Sequence, residues 1–157
     1  MISMTRDLIE YVGIDECLPL SPKNFTQFNI EDEVCIPNPK PDIEQIVKVS
    51  SEAVIKNKKI VRTPKGVSLE GFKLTGHKTL VEGVINYKIQ YVADTESQSV
   101  HIAHFCTPFI SFIVLPENFC PSSTFIISAF IEDIYVNTID TRSIYINTTL
   151  LLTAEEC

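Results

Sequence analysis

The stretch TLVEGVINYKIQYVAD, Thr79 to Asp94, keeps a period of two along its length. Val81, Ile85, Tyr87, Ile89 and Tyr91 fall on one face of an extended chain, and Glu82, Asn86, Lys88 and Gln90 on the other. A helix would scatter these residues around its axis, whereas a strand places every second side chain on the same side. Strict alternation over so long a window marks an antiparallel strand with one face in a core and one in water. Such a strand requires neighbours in its sheet and a second layer over its apolar face.

The neighbours are legible on both sides. Ile43 to Ile55 reads as one strand or two short ones. KNKK, Lys56 to Lys59, reads as the following turn, Lys59 to Thr63 as the start of the return, and TPKG, Thr63 to Gly66, as a second turn. After Tyr91 the segment DTESQ turns the chain, and SVHIAHFCTPFISFIVL comes back as a strand in which Pro108 marks a bulge or an edge. PENFCPSS is a loop, and TFIISAFIEDIYVNTI with RSIYINTTLLLT forms a final hairpin around Asp140. The expected fold is all-β, an antiparallel β-sandwich of Ig-like or jelly-roll-like type. Its expected core includes Val81, Ile85, Ile89, Phe112, Ile127, Ile134 and Ile146, with Cys106 as a small buried apolar group beside Phe105.

At 157 residues the chain is long enough for one domain with a real core. We divide it into an N-terminal arm, residues 1–24, and a single β-domain, residues 25–157. In the arm, TRDLIEYVG (Thr5 to Gly13) fits one or two helical turns with Leu8, Ile9 and Val12 on one side, too short to be stable alone. The arm is expected to be dispensable for folding and to dock on a neighbouring subunit, with strand addition as one route. Before the first good strand lies CIPNPKPD, in which Pro37, Pro39 and Pro41 fix the backbone and remove amide donors. That rigid lead-in cannot join a central ladder, and it delivers the chain to Ile43 in a set direction.

The formal net charge is -7, and the nearest thing to a basic patch is KNKK, Lys56 to Lys59, read as a solvated turn between strands, so no nucleic-acid partner is expected. No cationic segment followed by an apolar run opens the chain, and no window approaches the ~18 apolar residues of a membrane span, so neither a secretory signal nor a membrane span is expected. The one constellation with metal-ligand chemistry is in HIAHFC. His104 and Cys106 share a strand face, with His101 on the other, and Cys120 would join them if the Pro116 to Ser123 loop folds back, with His77 completing a set for zinc. The preferred reading of His104, Cys106 and Cys120 is a partly buried histidine and two thiols, with no metal and no cofactor. A Cys–His nucleophile would need a third orienting group, and none is evident. Glu132 and Asp133 point to opposite faces, and the five glycines are isolated, which leaves Gly83 to close packing or a bulge. No catalytic residue is assigned.

Taken together, IPNPKPDIEQIVKVSSEAVIKNKKIV, LVEGVINYKIQYVAD, HFCTPFISFIVLP and FIEDIYVNTIDTRSIYINTTLLL resemble the SPOCS domain of clostridial spore-envelope proteins, over roughly residues 25–153. The family's motifs fall on Lys40-Pro41-Asp42-Ile43, on Gly83 to Ala93 with Tyr87 and Tyr91, on Pro108-Phe109, and on Ile131 to Ile144. The resemblance implies a role in spore morphogenesis, in the coat or exosporium, and implies no enzymatic activity. Some members carry a peptidoglycan-binding LysM module after the domain; none is visible here, so cortex binding by that route is not expected.

The expected function is therefore that of a structural protein of the spore envelope, made in the mother-cell cytoplasm and deposited in the coat, the exosporium or a surface appendage. Its expected partners are copies of itself and other spore-envelope proteins. Five cysteines stand at 17, 35, 106, 120 and 157 with no C-x-x-C, an odd number that leaves one over from internal pairing. Cys17 and Cys157, followed by Cys35 and Cys120, are the candidates for inter-subunit disulfides; the competing reading keeps all five as thiols. The alternative function is a non-catalytic module that binds a carbohydrate or another coat protein, with Tyr87, Tyr91, Tyr135 and Tyr145 as a sugar platform, although core or interface packing accounts for them equally well.

Overall fold

The computed structural model describes residues 2–71, 73–120 and 123–156, which form eight strands joined by loops and turns, with no helix among them. They are β1 (Ile2–Arg6), β2 (Ile9–Ile14), β3 (Phe25–Cys35), β4 (Ile43–Val67), β5 (Lys73–Ala93), β6 (Val100–Val114), β7 (Phe125–Thr138) and β8 (Ser143–Glu156). A five-stranded sheet has the order β1-β2-β4-β5-β6, and a three-stranded sheet the order β3-β8-β7. Every pairing is antiparallel except the short parallel one of β2 with β4. The two sheets face each other as a sandwich, as the alternation requires.

The central strand behaves as its pattern dictates. Val81, Ile85, Tyr87, Ile89 and Tyr91 are all buried, and they meet Ile134, Ile144, Ile146, Leu150 and Leu152 of the small sheet in one core. Ile127 is half-buried against that core. Phe112, expected inside, is instead 47% exposed. Strand β6 is apolar on both faces, so its pattern leaves open which set points inward. The inward set is Ala103, Phe105, Thr107, Phe109 and Ile113, and Phe112 shares the outer face with Ile102, His104, Cys106 and Ile110.

The basic segment Lys56 to Lys59 is not a turn. It lies inside β4, where Asn57, Lys58 and Lys59 pair with Glu82, Val81 and Leu80, and TPKG continues the same strand to Val67. Bulges between Ile55 and Asn57 and between Arg62 and Lys65 take up the irregularity. Strand β2 covers β4 only at Lys48 to Ser50, so the outer edge of β4 beyond that point has no neighbouring strand. Lysines, a proline and bulges are what keeps such an edge from pairing with another chain, and they are also the residues that signal a turn.

The N-terminal segment is likewise not helical. Strands β1 and β2 form a hairpin through Asp7 and Leu8, both at positive φ (51° and 69°), the geometry of a tight two-residue turn. Ile9, Tyr11 and Ile14 of this hairpin are buried in the common core. Gly13 stands at φ 113° with the Ser51 carbonyl oxygen 2.1 Å from where a Cβ would be, which admits no other residue. Residues 2–14, expected as a detachable arm, are thus part of the sandwich. Together with Asp15 they also close the open edge of β7. The Tyr11 hydroxyl accepts from the Val136 amide (3.1 Å) and donates to its carbonyl (3.4 Å), the Asp15 amide donates to Ile131 O (2.9 Å) while its carboxylate accepts from Ile131 N (2.6 Å), and Arg6 donates to Ile134 O (3.4 Å).

Candidate functional site

The proline-rich lead-in follows β3 and is strapped to the turn between β7 and β8. At its start Ile36 N donates to Arg142 O, and at its end Ile43 N donates to Thr141 O, each at 2.8 Å. Carbonyls in such a segment face no strand, and the Arg142 guanidinium satisfies them. It donates to the carbonyls of Pro37 (2.9 Å), Lys40 (3.0 Å) and Ile36 (3.3 Å) and to the Asp42 carboxylate (2.7 Å). A planar fork of five donors suits this task, and an ammonium would not span it. The Tyr91 hydroxyl donates to Pro41 O at 2.8 Å while its ring stacks on His101. Asp140 shapes the turn that presents Arg142: its carboxylate accepts from the amides of Arg142 (2.8 Å) and Ser143 (2.7 Å), which holds its pKa below the usual carboxylate value. Lys40-Pro41-Asp42-Ile43, Tyr91, Asp140 and Arg142, distant in sequence, therefore form one clasp at one end of the sandwich.

The other motif residues also pair. Gly83 lies directly opposite Phe109 on β6, and the Phe109 ring covers it. Phe109 in turn meets Phe28 of the small sheet, with ring centroids 5.8 Å apart. Pro108 sits on an exposed face of an edge strand, where a missing amide is tolerated. The Tyr87 hydroxyl is hydrogen-bonded to Thr148 across the two sheets, and burial pushes its pKa up to about 12.

The residues considered for metal or catalysis do not converge. His104 and Cys106 stand exposed on the outer face of β6, Cys120 is exposed in the loop beyond it, and His77 packs on Phe119. Among the described residues no three His, Cys, Asp or Glu side chains form a group able to hold a metal ion. Cys106 was expected inside the core, but its parity on β6 places it in solvent. Cys17, Cys35 and Cys120 are exposed too, and Cys157 lies outside the described residues. The tyrosine platform is divided: Tyr87 and Tyr91 are buried in the core, whereas Tyr135 is 40% exposed and Tyr145 half-buried in the small sheet.

What the surface does present is a row of apolar side chains. On the outer face of β6, Val100, Ile102, Ile110 and Phe112 are all exposed, with Cys106 and Pro108 between them. Strand β6 is also an edge, paired with β5 alone. Sequence reasoning did not identify this row, because its residues look like core residues until the inward set is known. Nor did it identify Arg142 as the centre of the clasp; an arginine two residues after Asp140, beside a segment rich in prolines, was the available signal. No helix is long and apolar enough to cross a membrane among the described residues.

Comparison with known proteins gives one match to a family model, described as SipL, SPOCS domain, over residues 42–139. No curated protein and no solved structure matches the chain.

Proposed function

The chain belongs to the SipL, SPOCS domain family, a sporulation-associated family, and on that premise we propose that it is a structural component of the spore envelope that assembles with copies of itself. The observation that carries this reading is the outer face of β6. An edge strand with an unpaired backbone and a row of exposed apolar side chains is a surface suited to burial against another protein. The motif residues support a structural role in a second way: the clasp around Arg142 and the pair of Gly83 with Phe109 are used to hold the fold. The protein is a building block without catalysis of its own, deposited on the spore surface in the coat, the exosporium or an appendage.

Exposed thiols at Cys17, Cys35, Cys106 and Cys120 then supply cross-links between copies already in contact. Each disulfide forms as two thiols lose two protons and two electrons to dioxygen in the surroundings of the released spore, provided their Cα atoms come within about 4.4–6.8 Å. Size-exclusion chromatography and negative-stain microscopy, with and without reductant, test the reading. Ordered particles or polymers are expected, with Ile110→Asp and Phe112→Asp together shifting them to smaller species. A wild-type chain that remains monomeric at all concentrations overturns it.

A further inference from the structure

The charge of this acidic chain is sharply divided. Seven of its 13 Lys and Arg residues but one of its 20 Asp and Glu residues lie between residues 55 and 78, so this stretch carries a formal charge of +6 and the remainder -13. The basic residues are Lys56, Lys58, Lys59, Arg62, Lys65, Lys73 and Lys78, all on the distal half of the β4–β5 hairpin. Lys73 has a carboxylate partner in Glu117 (2.9 Å), Lys58 donates to Phe125 O, and Lys78 lies over the Phe112 ring. Lys56, Lys59, Arg62 and Lys65 make no ion pair among the described residues and are all exposed.

This half of the hairpin is also a ribbon. Strand β6 ends at Val114, opposite Lys78, and beyond that point no third strand joins β4 and β5. The loop after β6 lies along the β5 side, with the Leu115 amide donating to His77 O (2.9 Å), the Thr75 hydroxyl donating to Leu115 O and Glu117 paired with Lys73, while the β4 side stays open. The overhang from Lys78 to Lys73 is roughly 15–20 Å at the rise of a strand. Its end is apolar, with Leu69 fully exposed and Val67 and Leu74 at 70% and 48%. The open β4 side and this apolar tip are surfaces that a neighbouring copy can cover.

The opposite end of the same hairpin is acidic. Where Ile43 pairs with Ala93, the exposed Glu44, Asp94 and Glu96 lie at the start of β4 and in the turn after β5, Glu44 accepting from Gln98 (2.8 Å), and the exposed Asp140 lies in the turn that presents Arg142. The cations there are Lys40 and Arg142, and Arg142 is already committed to Asp42. One molecule thus carries a basic projecting pole and an acidic pole at the two ends of β4.

Resting on the self-assembly reading above, we propose that the basic ribbon of one copy docks on the acidic clasp end of the next, so that copies associate head to tail. A contact between two different surfaces of the same chain does not close on itself as a two-fold dimer does; it continues into a filament or a ring. Attraction between the poles steers and orders the copies, and the apolar ribbon tip adds buried area once they meet.

Reciprocal charge reversal tests this with the intact chain. One variant carries Lys56→Glu, Lys59→Glu and Arg62→Glu, and the other Glu44→Lys, Asp94→Lys and Glu96→Lys; all six positions are exposed, and circular dichroism checks that each variant keeps its strands. Sedimentation and electron microscopy are read at low salt and at about 1 M salt, where screening falls to about 3 Å. Wild type is expected to assemble at low salt and to need at least tenfold more protein at high salt. Each variant alone is expected to stay dispersed, and an equal mixture of the two to co-assemble. If wild type forms particles but both variants do so equally well, the head-to-tail contact is wrong while self-assembly stands. If wild type never assembles, the self-assembly reading fails and this contact with it. If the ribbon variant is dispersed and the mixture does not recover, the ribbon meets a different surface of the next copy and the head-to-tail contact with the clasp is overturned.

Discussion

The Phe109 ring occupies the space that a side chain at position 83 would need. A Cβ on Gly83 would sit 2.5 Å from Phe109 Cζ and 2.6 Å from the Val54 carbonyl oxygen. One neighbour is a side chain that can turn aside; the other is backbone in the adjacent strand. Gly83→Ala is therefore expected to destabilise the fold by about 1–3 kcal/mol, as overpacking does. Phe109→Leu in the same chain should recover only part of the loss, because the Val54 carbonyl remains. Urea denaturation of the two variants measures both terms, and full recovery would show that the ring alone sets the constraint.

Arg142→Ala should cost about 2–3 kcal/mol, in the range of hydrogen bonds to a charged donor. Asp42→Asn should cost less. The Arg142–Asp42 pair is partly exposed, and such pairs contribute little once solvent screens them. The three carbonyls that Arg142 also serves are the larger share of its role. Limited proteolysis should find the 36–42 segment opened in Arg142→Ala and protected in Asp42→Asn. Equal effects of the two substitutions would place the energy in the ion pair instead.

Tyr11→Phe keeps the buried ring but removes the hydroxyl that both accepts from and donates to Val136. Two buried backbone groups on the edge of β7 then lose their partner, which is expected to cost about 1–3 kcal/mol. Removal of residues 1–14 should do more, since Ile9, Tyr11 and Ile14 leave the core. Thermal unfolding followed by circular dichroism checks both. A truncated chain as stable as the whole would return these residues to the status of a free arm.

Alkaline pH should unfold the protein in a defined window. Burial raises the Tyr87 pKa from 10 to about 12, and burial raises Tyr11 and Tyr91 in the same direction. The unfolded chain loses these protons first, so the folded state binds more protons above pH 10. Stability from Tyr87 is complete below pH 10 and is lost as pH rises towards 12. Tyr87→Phe lowers stability at neutral pH by leaving the buried Thr148 hydroxyl without its partner, but it should flatten the decline between pH 10 and 12. The slope of stability against pH, with tyrosinate absorbance alongside, is the measurement.

Period-two alternation settled the fold class and the inward face of β5, because a strand converts residue spacing directly into sides. It also placed Ile134 and Ile146 inside, and the order of the family's motifs identified the family before any geometry was known. What alternation cannot carry is the choice between two faces that are both apolar, and β6 is such a strand: Phe112 and Cys106 turned outward because Phe109 and Ile113 turned inward. Nor can it distinguish a basic turn from a guarded edge, since Lys56 to Lys59 would suit either. The position of the N-terminal hairpin, the role of Tyr11 on an edge more than 120 residues away, and the clasp of Arg142 on Asp42 are decided by which strands lie beside which. Those neighbours are set by the packing of the whole sandwich, where contacts between segments remote in sequence outweigh the weak preferences of any one of them.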